Sequence, residues 1–214
     1  MTVANGTVAN GRPVRPRDAA SLVILRRSRG RTEVLLGKRH SRHRFMPDVF
    51  VFPGGRLDRQ DLATPVSDDL RRDVADKMQR KWSAEKARGL AVAAVRETLE
   101  ETGLRIGTMA GGSLQPDLSG LDYIARAITP PDNPIRFHAR FFVIDAEHAR
   151  GRVRNSHELS ELQWRPLGEA LQMPIVDVTE FVLQEIERRL DGWRPPGVPL
   201  FSYRRGRAHV RYER

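Results

Sequence analysis

Apolar residues form strand-length runs in the first fifty positions and then switch to helical spacing. Residues 20–26 and 33–39 are such runs, and Ser28-Arg29-Gly30 between them supplies a turn, so a hairpin is predicted. Residues 49–52 make a third short strand that leads into Gly54-Gly55. After Pro65 the pattern changes. Asp68, Leu70, Val74, Met78 and Trp82 recur at helical spacing, with charged residues between them. Ser83 can cap a second helix, with Lys86 rather than Glu three residues on. The run Leu90-Ala91-Val92-Ala93-Ala94-Val95 is continuously apolar and predicts burial, and Gly103 is placed to end that helix. Residues 107–120 read as loop, 121–129 and 137–145 as strands, and Trp164 ends another short strand. Residues 176–190 form an amphipathic helix with Phe181, Ile186 and Leu190 inward, stopped by Asp191-Gly192. Pro195, Pro196 and Pro199 follow, and then residues 208–212 as an edge strand. Strands, a helix, more strands and a final helix suit an α/β class, a mixed sheet sandwiched by helices.

Length and composition narrow the reading. The 214 residues fit one domain with a sizeable core. Residues 1–18 contain the repeat Thr2-Val3-Ala4-Asn5-Gly6, Thr7-Val8-Ala9-Asn10-Gly11 followed by Pro13 and Pro16, and read as a flexible arm. Residues 19–214 are then a single domain with a C-terminal extension, 192–214. The absence of cysteine excludes disulfides and thiolate metal sites and suits a cytoplasmic protein. No apolar run approaches a membrane span, no apolar leader is visible, and Arg211-Tyr212-Glu213-Arg214 is not an address of the Ser-Lys-Leu type. The net charge of +10 is nearly all arginine, scattered without a Lys/Arg block of five. That distribution favours drawing in small polyanions over binding nucleic acid.

The chemistry concentrates in Arg96-Glu97-Thr98-Leu99-Glu100-Glu101-Thr102-Gly103-Leu104. Glu97, Glu100 and Glu101 stand at i, i+3 and i+4, which stacks them on one helix face. Three like charges there repel unless a cation sits between them. Hard cations such as Mg²⁺ take oxygen ligands and are held by a few carboxylates plus substrate phosphates. The run therefore reads as half of a metal-dependent phosphate site. A merely solvated acidic face is the alternative, and the buried lead-in argues against it.

These residues resemble the second half of the Nudix box, R-E-U-x-E-E-x-G-U with U apolar, except that Thr98 fills a normally aliphatic position. Phe52-Pro53-Gly54-Gly55 resembles the family's strand-to-loop entry. In the pattern G-x5-E-x7-R the arginine follows the glycine by fourteen residues. Here the distance is 96 − 55 = 41, an excess of 27, so an insertion is expected over about residues 58–86. The box Glu expected eight residues before Arg96 is replaced by Arg88. Upstream, Leu35-Leu36, Arg39, Arg44 and Phe52-Pro53-Gly54-Gly55 fall at the spacing of the coenzyme A diphosphatase signature, whereas Gly37, His40 and Asp48 do not match it. Phe45-Met46-Pro47, the insertion, Ile128-Thr129-Pro130-Pro131, Arg136-Phe137 and Arg140-Phe141-Phe142 resemble the branch with the mammalian peroxisomal enzymes.

The resemblance implies an α/β/α sandwich with a helical insertion between the Gly-Gly loop and the catalytic helix. It also implies hydrolysis of a nucleoside diphosphate linked to another group. Mg²⁺ or Mn²⁺ would sit on Glu97, Glu100 and Glu101, and Arg96 would fix their rotamers. Glu158 is the expected base or additional ligand, with Glu161 second. Arg39, Arg44, Gly54 and Gly55 would hold the substrate, and the insertion would border its entrance. The expected partner is a small-molecule nucleotide, with no nucleic acid and no membrane; a homodimer is compatible with the sequence. Coenzyme A or an acyl-coenzyme A leads as substrate. Another dinucleotide or a sugar nucleotide, or a non-catalytic nucleotide-binding domain, are the other readings.

Overall fold

The computed structural model describes residues 14–40 and 48–213. Along the chain run β1 (Arg17–Ser28), β2 (Arg31–Arg39), β3 (Phe50–Val51), β4 (Gly54–Arg56), α1 (Arg72–Gln79), α2 (Ala84–Thr102), β5 (Arg105–Ala110), β6 (Ser113–Pro116), β7 (Asp122–Ile128) and β8 (Phe137–Asp145). There follow β9 (Ala149–Arg150), β10 (Leu159–Pro166), α3 (Leu167–Ala170), α4 (Asp177–Leu190), β11 (Val198–Arg204) and β12 (Arg207–Glu213). The main sheet has the order β10-β2-β1-β8-β7-β11-β12, with β3 on β2 and β4 on β1. β1 and β8 are parallel, as are β7 and β11, and the other pairs are antiparallel, so the sheet is mixed.

β1 lies third in the sheet and is buried on both faces, which explains its near-continuous apolar run. Leu22 and Ile24 pack with α1 and α2, while Val23 packs with α3 and α4. Two cores separated by the sheet make the α/β/α sandwich. The β1–β2 hairpin pairs Ser28 with Arg31 across Arg29 and Gly30, both at positive φ (49° and 76°), the backbone that a two-residue hairpin loop demands.

Several expectations change. Residues 107–116 are not loop: Ala110 pairs with Ser113 across Gly111-Gly112, and β5 also pairs with β9. The helix expected across 68–82 is confined to α1, because Asp68 bridges Asp117 and Leu118 N–H donates to Asp68 O. Leu190 is 47% exposed, and Val182 and Leu183 fill the core of α4 instead. Arg17 and Asp18, assigned to the arm, already belong to β1. The rest of the arm's repeat lies outside the described residues. β11 and β12 form a hairpin where only one edge strand was expected.

Candidate active site

The site is built on the last turns of α2. Ser83 Oγ accepts from Lys86 N–H at its start, and Gly103 ends it in the left-handed region at φ 75°. The acidic face meets β4, which hugs β1 through the pairs Ser21↔Gly54 and Ala20↔Gly55. Glycine is required at both positions. A Cβ on Gly54 would lie 2.5 Å from Ala20 O, and one on Gly55 would lie 2.3 Å from Glu97 Oε1. The Gly-Gly pair thus lets two backbones and a carboxylate approach one another.

Gly54 N–H donates to Glu101 Oε2 at 2.8 Å, and Glu101 is only 5% exposed. Burial pushes its pKa up to about 8, against the Gly54 donor, and the charges of Glu97 and Glu158 push in the same direction as burial. Burial likewise raises the pKa of Glu97, with Arg96 opposing and Glu100 and Glu158 adding to the rise. Arg96 Nη1 donates to Glu97 at 2.9 Å and to Glu100 at 3.3 Å, and Glu100 stays largely exposed. Its Nε and Nη2 form a fork with Asp61 at 2.8 and 3.0 Å. Burial alone would lower the Arg96 pKa, but Asp61 and Glu97 carry it well above the ordinary value.

Asp61 was missed in the sequence. It is fully buried, in the 3-10 turn Arg59–Leu62, and its carboxylate also accepts from Asp58 N–H. The signal was available: Asp61 lies six residues after Gly55, the place of the acidic residue in G-x5-E. Counting forward from the glycine finds it; counting back from Arg96 finds Arg88, which instead pairs with Asp69 at 2.6 Å. The extra residues therefore enter after Asp61.

A cleft of about 410 Å³ opens beside this face. Arg39, Gly54, Gly55, Glu97 and Glu158 line it together with Ile128, Pro130, Phe137, Val178 and Tyr203. Burial lowers the Arg39 pKa, and the charges of Glu101 and Glu158 counter it. Glu161 sits at φ 47° in a bulge of β10 and pairs with Lys38 at 3.0 Å, away from the cleft lining. Arg44 lies outside the described residues, as does Phe45-Met46-Pro47. α1 contributes nothing to the cleft lining. Of the segment 58–86 only Asp58, which precedes the extra residues, reaches it, because Val74 and Met78 commit α1 to the core.

The donor set suits a hard divalent cation. The charges of Glu97, Glu100 and Glu158 lie close enough to add to the rise that burial gives Glu97 and Glu101, and a cation between these carboxylates would remove that repulsion. Among the described residues no three acidic or histidine side chains converge into a finished coordination shell. Arg96 and Gly54 hold Glu97, Glu100 and Glu101 in the present arrangement.

No family model and no curated protein matches the sequence. Solved structures do match. A Nudix hydrolase from Alicyclobacillus acidocaldarius is 29% identical, with a TM-score of 0.60 over 79% of this chain and 90% of that one. A MutT protein from Bacillus halodurans is 13% identical, with a TM-score of 0.52 over 91% and 96%. The Nudix domain of Shewanella oneidensis NrtR, solved with ADP ribose, is 15% identical, with a TM-score of 0.50 over 83% and 90%.

Proposed function

We propose that the chain is a Nudix pyrophosphohydrolase, as its likeness to a solved Nudix hydrolase supports, and that it cleaves the pyrophosphate of coenzyme A or an acyl-coenzyme A with the help of a divalent cation. The observation that carries the substrate choice is the mixed lining of the cleft. Carboxylates and Arg39 share it with the apolar Ile128, Pro130, Phe137, Val178 and Tyr203. A pyrophosphate joined to a long, partly apolar arm matches such a lining. A compact sugar nucleotide would leave the apolar side chains wet.

In this reading Glu97, Glu100 and Glu101 would hold Mg²⁺ or Mn²⁺, which would supply charge neutralisation at the phosphoryl oxygens and acidify water. Arg96, braced by Asp61, sets the Glu97 and Glu100 carboxylates. Glu101 is fixed by the Gly54 N–H, so its orientation does not depend on Arg96. Glu158 enters from the loop before β10 and accepts the proton of the attacking water. Arg39 contacts a phosphate, for which a guanidinium fork is well shaped, and Gly54 and Gly55 bring the backbone close to it.

The test is a substrate panel with products identified by mass spectrometry, at fixed Mg²⁺ or Mn²⁺. Release of 3′,5′-ADP and phosphopantetheine from coenzyme A is expected, abolished by chelator and lowered by orders of magnitude in Glu101→Gln. Good turnover of a dinucleoside polyphosphate or sugar nucleotide with none of coenzyme A would reject the substrate and keep the metal site. Near-native turnover by Glu101→Gln would reject the metal site.

A further inference from the structure

β7 and β11 run parallel but pair only at Leu200↔Arg126 and Phe201↔Ala127. The stretch of β7 before Arg126 is not covered by β11, and a crevice of about 670 Å³ opens there, between the end of α1, the end of α4 and the segment 193–198. It shares no lining residue with the carboxylate cleft. Six cationic side chains line it: Lys77, Arg80, Lys81, Arg126, Arg189 and Arg194. Only two acidic residues, Asp122 and Glu213, accompany them. Both acids are already engaged, Asp122 by Arg71 and Glu213 by Arg126, Lys81 and Arg211. Arg80 and Arg194 have no acidic partner among the described residues.

Two further observations point to a ligand rather than to a solvated basic surface. The Tyr123 hydroxyl and Arg189 Nε are buried without a hydrogen-bond partner, and both residues line the crevice. Tyr123 itself is 4% exposed. Buried polar groups without partners are rare in folded proteins and carry a cost. Trp82 and Trp193 also line the crevice, half-buried, and supply apolar ring surface beside the cations. A ligand that matches the exposed cations and the rings of the crevice carries several negative charges and a flat apolar body.

We propose that this crevice is a second ligand site, distinct from the hydrolytic cleft, that binds a nucleoside di- or triphosphate. The phosphates meet Arg80, Arg189 and Arg194, and the base lies against the tryptophan surface. Charge-assisted contacts from arginine forks supply the affinity and need no metal.

That independence from metal separates the two sites. The full chain is titrated with ADP in chelator, following heat and tryptophan emission. Trp82 and Trp193 line the crevice, and the remaining tryptophan, Trp164, lies on β10 at the far edge of the sheet. One equivalent of ADP should bind and change the emission. The double charge reversal Arg80→Glu/Arg194→Glu, at two exposed positions, should weaken it by about tenfold or more. Arg39→Ala should leave it unchanged. Absence of metal-independent binding, or binding lost in Arg39→Ala and kept in the charge reversal, would overturn the second site. Equal affinity for inorganic pyrophosphate and ADP would overturn the assignment to nucleosides.

Discussion

At the scale of single residues, Asp61 carries the most weight for its size. It is a fully buried carboxylate whose main partner is Arg96, and that guanidinium in turn holds two of the three clustered glutamates. Removing one partner of a buried pair usually costs about 3–5 kcal/mol. Arg96 keeps Glu97 and Glu100 when Asp61 is lost, so Asp61→Asn should cost less, about 2–3 kcal/mol in denaturant unfolding. The freed guanidinium then competes with metal for the same carboxylates, so kcat should fall and the metal requirement should rise. Unchanged stability and metal dependence would remove Asp61 from the site. His138 offers a separate reading by pH. Burial, and then Arg140 and Arg126, lower its pKa from 6.5 to about 3. Between those values the unfolded chain binds a proton that the folded chain refuses, so stability should fall as pH drops through that window. The thermal midpoint of the native protein should drop more from neutral pH to about pH 4.5 than that of His138→Gln. Equal slopes would show that the imidazole is not held neutral. Neither residue stands out in the sequence. Asp61 becomes visible only when the spacing is counted from Gly55, and His138 has its character from Arg126 and Arg140, which strand pairing brings together.

At the scale of elements, α2 was the most legible, because its signals are local: an Ser83 cap, an apolar run, carboxylates at helical spacing and Gly103. The hairpin of β5 and β6 was hidden. Its strands are half exposed, so they lack an apolar pattern, although Gly111-Gly112 between them is a sound two-residue turn signal. The helical periodicity of 68–82 overreached because burial of Leu70 and Trp82 against the core does not require them to be helical. β11 escaped notice because Pro195, Pro196 and Pro199 at its start suggest an extended tail, whereas its register on β7 is a tertiary matter. The cap of α2 can be tested directly. Gly103 at φ 75° would strain any Cβ, and that Cβ would also meet Arg154 at 2.8 Å. Gly103→Ala should therefore destabilise by about 1–2 kcal/mol. Glu100 and Glu101 lie in the adjoining turn, so kcat should fall as well. A variant with native stability would mean that the helix end adjusts freely.

At the scale of the whole molecule, the +10 charge gives a long-range field in which polyanionic substrates approach. kcat/KM should decline as salt rises to about 0.5 M, since screening shortens that field, while kcat at saturating substrate changes little. A flat profile of kcat/KM would show that substrate capture is not electrostatic. No helix of the described residues is long and apolar enough to cross a membrane. The α/β/α sandwich itself was readable from the order of elements, but the separation of cleft and crevice was not, since each is assembled from segments distant in sequence. The Asp61–Arg96 fork has a further consequence. It staples the turn after the Gly-Gly loop directly to the acidic helix, across all the chain that lies between. The entropy of closing a loop grows only with the logarithm of its length, so lengthening the stretch around residues 63–65, before Ser67 and Asp68 are tied to Pro116 and Leu118, would hardly register at the carboxylates. The arrangement of the carboxylates is thereby insulated from length variation beside it, and evolution or an engineer can splice new sequence there while the glutamates keep their places.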